Sequence, residues 1–287
     1  MGKYSFVTLL ILIVLIGIAL SQDDKKEEEK KTLSFNLQYE KGMKFSKKVT
    51  YSVVKEDTDE NDVKQIEATK EVSLRNISIE EVKDNLPTKV KYEFGDTEVY
   101  ENDKKNEQYE DQLKGHWFKG DVDDELNVAV KEKSDDFPDN KDSKYFFKEL
   151  TLHGFLRFDF LKSVHKEVNS EWVEDIQFQS KGEFAYDAKI FVKMKLSEVI
   201  TLENEQFALF TFSLDQCIGS AKITYMGMIK VCVTKNRIVS WDIDIAIQYS
   251  KSRKKNYLLS CEFTYNEPNQ ENENDKKEDV KPKTEEE

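Results

Sequence analysis

The residues of a type and spacing able to do chemistry are few, and each group is incomplete for the chemistry it would serve. Asp57-x-Asp59-x-Asn61 opens like a helix-loop-helix calcium loop, in which alternating oxygen donors wrap one cation. Such a loop then needs Gly at its sixth position for a sharp turn and Glu at its twelfth as a two-oxygen ligand. The chain has Asp62 and Ala68 there, so the stretch reads as a polar hairpin tip. Asp121, Asp123, Asp124 and Glu125 are denser; they would hold calcium weakly at a strand end, and a polar turn explains them as well. His116, His153 and His165 are far apart and none lies in a His-Glu-x-x-His or Cys-x-x-Cys setting, so no transition-metal site is expected. A serine hydrolase of the elbow type would show Gly-x-Ser-x-Gly, which the chain lacks, and no motif ties Cys217 to a histidine. Asp242 and Asp244 would sit about 7 Å apart on one strand face, a spacing open to glycosidase acids and equally to a wet outer face. The ten glycines form no phosphate-cradling loop before a helix. No catalytic, cofactor-binding or metal-binding residue is therefore expected.

The elements that would position any site share one signature, an apolar residue at every second position. EFAYDAKIFVKMKL (183–196) places Phe184, Tyr186, Ala188, Ile190, Val192, Met194 and Leu196 on one side. Before it, Leu33 to Tyr39, then Met43, Phe45, Val49, Tyr51 and Val53, then Val72 to Ile79, then Val90, Tyr92 and Phe94 alternate likewise. Turns are expected at 40–42, 56–62 and 85–87, an end at Gly95-Asp96, and a hairpin over 116–132 folded at 123–125. After it, Phe207–Asp215, Ala221–Val233, Val239–Tyr249 and Tyr257–Tyr265 follow, separated by 202–205, 218–220, 234–237 and 251–255. Short turns between long strands mean antiparallel pairing, and alternation with charged positions means one packed and one wet face. The expected fold is mainly β, with long-stranded antiparallel meander sheets, two similar curved halves and a short helical connection. The similarity of the halves rests on 72–96 and 192–215, which share the order long strand, polar turn, shorter strand, Asp. Residues 143–165 fit one or two amphipathic helices, or an alternating strand from Leu152 to Phe160.

The expected segments are a signal peptide over 1–21, a charged linker over 22–32, a first β half over 33–140, a partly helical connection over 141–182, a second half of four to five strands over 183–265, and an acidic tail over 266–287. Lys3, the apolar run Phe6–Leu20 and the small residues Ala19 and Ser21 fit an export signal cleaved at Ser21-Gln22; the run is short for a spanning helix, so no membrane span is expected in the mature chain. Residues 22–31 and 266–287 hold too few apolar side chains to offset chain entropy. A net charge of −13 disfavours nucleic acid and anionic membrane surfaces. Cys217 and Cys232 would lie roughly 35 Å apart along their strands, far beyond the 4.4–6.8 Å a disulfide tolerates. Cys261 would point to the face opposite Cys232, so no disulfide is expected. Asn76-Ile77-Ser78 is an acceptor sequence for glycosylation in a eukaryotic secretory pathway.

EKGMKF (40–45) and VNSEW (168–172) carry a likeness of layout. The chain resembles a loose group of exported, β-rich bacterial proteins of unknown function, which pair a Gly-turn-strand opening in the first half with a Val-x-Gly-x-x-Trp-like opening in the second and end in a meander like 206–250. Asn169 stands where that pattern has Gly, and Asn tolerates the left-handed conformation. The resemblance implies an exported β architecture and transfers no catalytic residue.

What remains is the aromatic content, eighteen Phe and twelve Tyr. In long, curved strands these fill a core or line a concave face, and something must occupy a concave face. The candidate apolar-ligand face is Phe184, Tyr186, Ile190, Val192, Met194, Tyr225, Trp241, Ile243 and Phe263. The expected function is non-catalytic, outside the cytoplasm: binding a lipid or small apolar ligand on that face. The alternatives are an envelope or surface interaction protein with a closed core and a protein partner, and, behind both, a hydrolase.

Overall fold

Alternation with period two leaves each strand one sheltered side, and shelter comes from pairing many strands and bending the result. The computed structural model describes residues 31–58, 63–107, 112–124, 126–138, 161–179, 187–218, 221–250 and 252–266, with the backbone alone at 175–179, 187–190 and 218. Along the chain the strands are β1 (Thr32–Asn36), β2 (Lys44–Thr58), β3 (Lys64–Lys83), β4 (Leu86–Glu101), β5 (Lys104–Lys105), β6 (Trp117–Val122), β7 (Val128–Lys133), β8 (Ser163–Glu167), β9 (Glu171–Gln179), β10 (Asp187–Leu202), β11 (Glu205–Ile218), β12 (Ala221–Cys232), β13 (Arg237–Gln248) and β14 (Arg253–Asn266). Twelve of them form one antiparallel sheet in the order β7-β6-β4-β3-β2-β14-β13-β12-β11-β10-β9, with β5 beside β4. The two ends of the chain meet in its middle, where β14 pairs with β2 from Arg253↔Asp57 to Asn266↔Lys44.

The sheet is bent, and two hydrogen bonds measure the bend. Gln38 N–H donates to the Asn236 carbonyl (3.0 Å) and Tyr39 N–H to the Asn85 carbonyl (2.9 Å). Adjacent residues hold the two acceptors within roughly 10 Å of each other. Asn85 turns β3 into β4 and Asn236 turns β12 into β13, four strand spacings apart in the sheet order, which would separate them by roughly 19 Å if the sheet were flat. The sheet therefore curls around residues 37–39. On its concave side lies a two-stranded ribbon of β1 and β8, whose Leu33, Phe35 and Val164, with Leu37, Tyr39 and Leu161, are buried in the same core as the large sheet.

The two halves repeat. The β3–β4 register shifts between Ile79 and Glu81, and the β10–β11 register between Leu196 and Glu198. Each hairpin then closes on two residues with positive φ, Asp84-Asn85 (51° and 64°) and Glu203-Asn204 (47° and 67°), the conformation whose twist matches paired strands. The expected mainly β fold with antiparallel meanders and two similar curved halves is what the chain adopts.

Several boundaries differ from expectation. Gly95-Asp96 does not end a strand: β4 runs on to Glu101, and the pair forms a bulge opposite Leu74, since Phe94 faces Arg75 and Thr97 faces Ser73. A Cβ on Gly95 would lie 3.1 Å from that of Leu74, so the bulge needs a small residue. Arg253–Lys255 belong to β14, paired with Asp57–Lys55 through an alternation of charged residues that looks like a turn in sequence. The connection expected over 141–182 contributes β8 and β9, and its helical stretch 143–160 lies outside the described residues. Thr32 and Asn266, assigned to the charged flanks, are strand residues; 1–30 and 267–287 lie outside the description.

Candidate functional site: the concave face of the sheet

Register partners share a face, so the pairing maps this surface in rows. At the ribbon-covered end, Tyr265, Phe45, Ile77, Tyr92 and Phe118 stand opposite one another across five strands. Their rings pack closely: Phe45 to Tyr265 at 5.2 Å, Tyr92 stacked on Phe118 at 4.8 Å, and Tyr39 of the crossing segment 6.5 Å from Phe45. One row along come Phe263, Lys47, Arg75 and Phe94. Next come Phe210, Ile229, Trp241, Cys261, Val49 and Ser73, then Met194, Phe212, Gly227, Ile243, Leu259 and Tyr51, then Tyr225, Ile245, Tyr257 and Val53.

Burial falls along these rows. Ile77, Tyr92, Phe118 and Trp241 are fully buried and Tyr265 half-buried, whereas Val49, Tyr51, Tyr225, Ile245 and Tyr257 are half-buried and, among these outer rows, Val53 is buried. One end of the concave face is closed by the ribbon; toward the other, an apolar, tyrosine-rich surface is incompletely covered among the described residues. Of the nine candidate face residues, Val192, Met194, Tyr225, Trp241, Ile243 and Phe263 lie on this face. Ile190 is placed by backbone register opposite Ile176, and Phe184 and Tyr186 lie outside the described residues.

Two residues that sequence reasoning passed over belong to this face. Lys47 and Arg75 are register partners, each 3% exposed. The signal was a break in the pattern: Phe45, Val49, Tyr51 and Val53 keep an alternating frame in which Lys47 is the one charged member. Arg75 hid because the apolar Val72 and Leu74 before it lie in the opposite phase, although Arg75 keeps the frame of Ser73, Ile77 and Ile79. Its guanidinium lies 4.8 Å over the Phe94 ring and its Nη1 donates to the Leu74 carbonyl (2.8 Å); the Lys47 ammonium lies 5.1 Å over Tyr92. Burial lowers the Lys47 ammonium to about 8, the Cys261 thiol opposes that, and Arg75 adds to it. Burial likewise pushes the Cys261 thiol up to about 12, against the pull of Lys47. Tyr92 and Tyr265 are raised by burial as well.

The other candidates resolve into structure. Ser134 Oγ (3.1 Å) and Asp136 Oδ1 (3.3 Å) both meet His116 at Nδ1. A catalytic relay needs serine and carboxylate on opposite ring nitrogens, so this cluster is not one. His165 Nδ1 lies 2.8 Å from Ser34 Oγ in the β1–β8 ribbon, and His153 lies outside the described residues. Asp123 accepts from both the backbone N–H and the side-chain amide of Asn127 (2.8 and 2.9 Å), which closes the β6–β7 turn, and Asp121 pairs with Lys131. Glu125, Asp59, Asn61 and Asp62 lie outside the described residues. Asp242 and Asp244 point to the wet face; Asp242 is raised by burial and then by Glu262. Cys217, Cys232 and Cys261 are free thiols, and Cys232, 3.6 Å from the Glu205 carboxylate, faces away from Cys261. Among the described residues no three His, Cys, Asp or Glu side chains are grouped to hold a metal, and no helix is long and apolar enough to cross a membrane.

No family model matches the chain, and no curated protein matches it. Among solved structures it is similar to one described as "lipid-protein interactions in lipovitellin", at 9% identity and a TM-score of 0.46, over 80% of this chain and 26% of that one. The chain thus spans about a quarter of the length of the lipovitellin chain.

Proposed function

We propose that this protein is a non-catalytic carrier or binding module that holds a lipid or other apolar small molecule on the concave face, outside the cytoplasm, after loss of residues 1–21. The observation that carries the reading is the gradient of burial: one packed end under the β1–β8 ribbon, and Tyr51, Tyr225, Ile245 and Tyr257 half-buried toward the other. Every further 100 Å² of apolar surface covered there contributes about 2.5 kcal/mol, which favours an apolar occupant. Export is supported by the sequence of the first 22 residues. The non-catalytic reading is supported by the use of His116, Asp123 and Asp242 described above.

The test is to purify the chain from Gln22 onward, extract it with organic solvent and analyse the extract by mass spectrometry. The stripped protein is then titrated with a fluorescent fatty acid. We expect a co-purifying apolar molecule and saturable uptake that quenches Trp241. An empty extract together with no uptake overturns the reading.

A second reading, a surface protein that engages a protein partner through its outer strands, is favoured by the exposure of Phe191 (58%), Met226 (56%) and Leu258 (53%) on the outer face. It predicts a specific cross-linked partner lost when these three are changed to Ser, with ligand uptake unaffected.

A further inference from the structure

Asn76-Ile77-Ser78 is the one place in the chain where Asn is followed two residues on by Ser or Thr. Strand β3 gives this triplet a direction. Along a strand, residues two apart share a face and the residue between them takes the other. Ile77 is buried in the core at 1% exposure, so Asn76 and Ser78 both turn to the wet, outer side. Asn76 is exposed, although it lies inside the sheet with β2 and β4 on either side. Its register partners are Ser46 and Glu93, and Thr264 stands beyond Ser46 on β14, so the row around it is polar. Ser46 Oγ donates to Asn76 Oδ1 (2.7 Å). That bond holds the amide by its oxygen; the amide nitrogen has no hydrogen-bond partner among the described residues. A cross-strand hydrogen bond accounts for Asn76 as a surface residue, but it uses neither Ser78 nor that nitrogen.

We propose that Asn76 is an attachment site for an N-linked glycan, added as the chain is exported through a eukaryotic secretory pathway. The inference rests on the reading of residues 1–21 as an export signal and adds a modification to it. The reaction requires Asn, any residue but Pro, then Ser or Thr. In it the Asn76 amide nitrogen forms a bond to the anomeric carbon of an oligosaccharide carried on a lipid pyrophosphate. The bond from that carbon to the pyrophosphate oxygen breaks, the lipid pyrophosphate leaves with the electron pair, and the nitrogen gives up one proton. Only Nδ2 is used, so Oδ1 keeps its bond from Ser46. A glycan is bulky and hydrated and belongs on a surface. Moving the frame of β3 by one residue would turn the same Asn into the core, where a glycan has no room.

The full chain, residues 1–287, is expressed in cultured animal cells that secrete glycoproteins. Medium and cell extract are compared before and after treatment with peptide-N-glycosidase. In a parallel chain residues 1–21 are replaced by an established export signal. We expect secreted protein with a single glycan, lost on treatment, and peptide mass spectrometry that finds Asn76 converted to Asp. Asn76→Gln and Ser78→Ala should each lose the glycan and Ser78→Thr should keep it. The cell extract gives the same answer for any variant that folds too poorly to be secreted, because transfer precedes folding. Protein in the medium without a glycan on Asn76, whichever signal carried it there, overturns the site and leaves export standing. A glycan that survives in Asn76→Gln or Ser78→Ala overturns the site as well. Native chain held in the cytosol, while the parallel chain is secreted with a glycan on Asn76, overturns the export reading and with it the modification of this protein.

Discussion

Gly42 and Asn169 hold the same position in the two halves of the chain. Both have positive φ, 84° and 67°. Gly42 N–H donates to the Ile79 carbonyl (2.8 Å) and Asn169 N–H to the Leu196 carbonyl (2.7 Å). The returning bonds also match, from Ile79 N–H to the Met43 carbonyl and from Leu196 N–H to the Ser170 carbonyl. Each residue lies in a tight turn that leads one ribbon strand, β1 or β8, into the first long strand of its half, and Ile79 and Leu196 are the residues at which the two matching bulges begin. This is a tandem repeat at the level of individual hydrogen bonds.

The repeat makes a prediction about backbone strain alone. A Cβ at Gly42 would meet nothing within 4 Å, so a substitution there has only its φ to answer for. Gly42→Val should destabilise by about 1–2 kcal/mol and Gly42→Asn by clearly less, because Asn tolerates the left-handed region. Asn169→Gly should be neutral or gain a few tenths of a kcal/mol. Urea unfolding of the three variants checks the order; equal losses for Gly42→Val and Gly42→Asn would contradict it.

That turn also shows what a sequence yields and what it conceals. Periodicity was enough to place the long strands, because a half-sheltered strand must alternate. The positive-φ turns were readable because Gly and Asn have few other reasons to sit between strands. The sheet order was not readable: the β14–β2 seam joins residues some two hundred apart, and no local preference encodes a partner that distant. Gly95 looked like a terminus because a glycine bulge and a strand end share a composition. Half of the candidate site, its aromatic face, followed from the alternation. Lys47 and Arg75 did not, since charged residues are assigned by default to the wet face and only their phase betrays them.

Gly227 carries a second test of packing. It stands between Phe212 and Ile243 in register, and a Cβ there would run into the Phe212 ring and come within 2.6 Å of the Asp242 carbonyl oxygen. The ring lies across the gap that glycine leaves. A glycine inside an ordinary strand weakens it by roughly 0.5–1 kcal/mol, so replacing one should stabilise. Here the sign reverses: Gly227→Ala should cost about 2–3 kcal/mol by overpacking. Phe212→Leu combined with Gly227→Ala should be less damaging than the sum of the two, a coupling that a double-mutant cycle in denaturant measures.

The thiols should sort by burial. Cys217 is exposed, while Cys232 and Cys261 are buried and burial raises both thiols. Only thiolate reacts quickly with disulfide reagents. At mildly alkaline pH the folded chain should titrate one thiol quickly, and two more only after denaturation. Cys217→Ser should abolish the fast phase. A fast phase that survives this change would place Cys232 or Cys261 within reach of solvent and contradict their burial.

Lys47 should make stability depend on pH in a direction opposite to that of most titrating groups nearby. Its ammonium is lowered to about 8 in the folded chain by burial first, whereas an unfolded lysine keeps about 10.4. Below pH 8 both states carry the proton and the full penalty of burying the charge is felt. Between about 8 and 10.4 the unfolded chain binds a proton that the folded chain has released, so stability rises with pH. The lowering corresponds to about 3 kcal/mol over that window. Cys261 works the other way: its thiol is held up to about 12 by burial, so the folded chain retains a proton that the unfolded chain loses above its ordinary value, and stability falls from there. The two effects overlap above about pH 9, so the wild-type profile alone is not diagnostic. The difference between wild type and Lys47→Met is. The variant should be the more stable protein at pH 7, by up to about 3 kcal/mol, and the two curves should converge as pH rises from 8 toward 10.4. Guanidinium unfolding at a series of pH values reads this directly, on protein stripped of ligand. A constant offset between the curves would mean that the ammonium is not held in a low-dielectric setting.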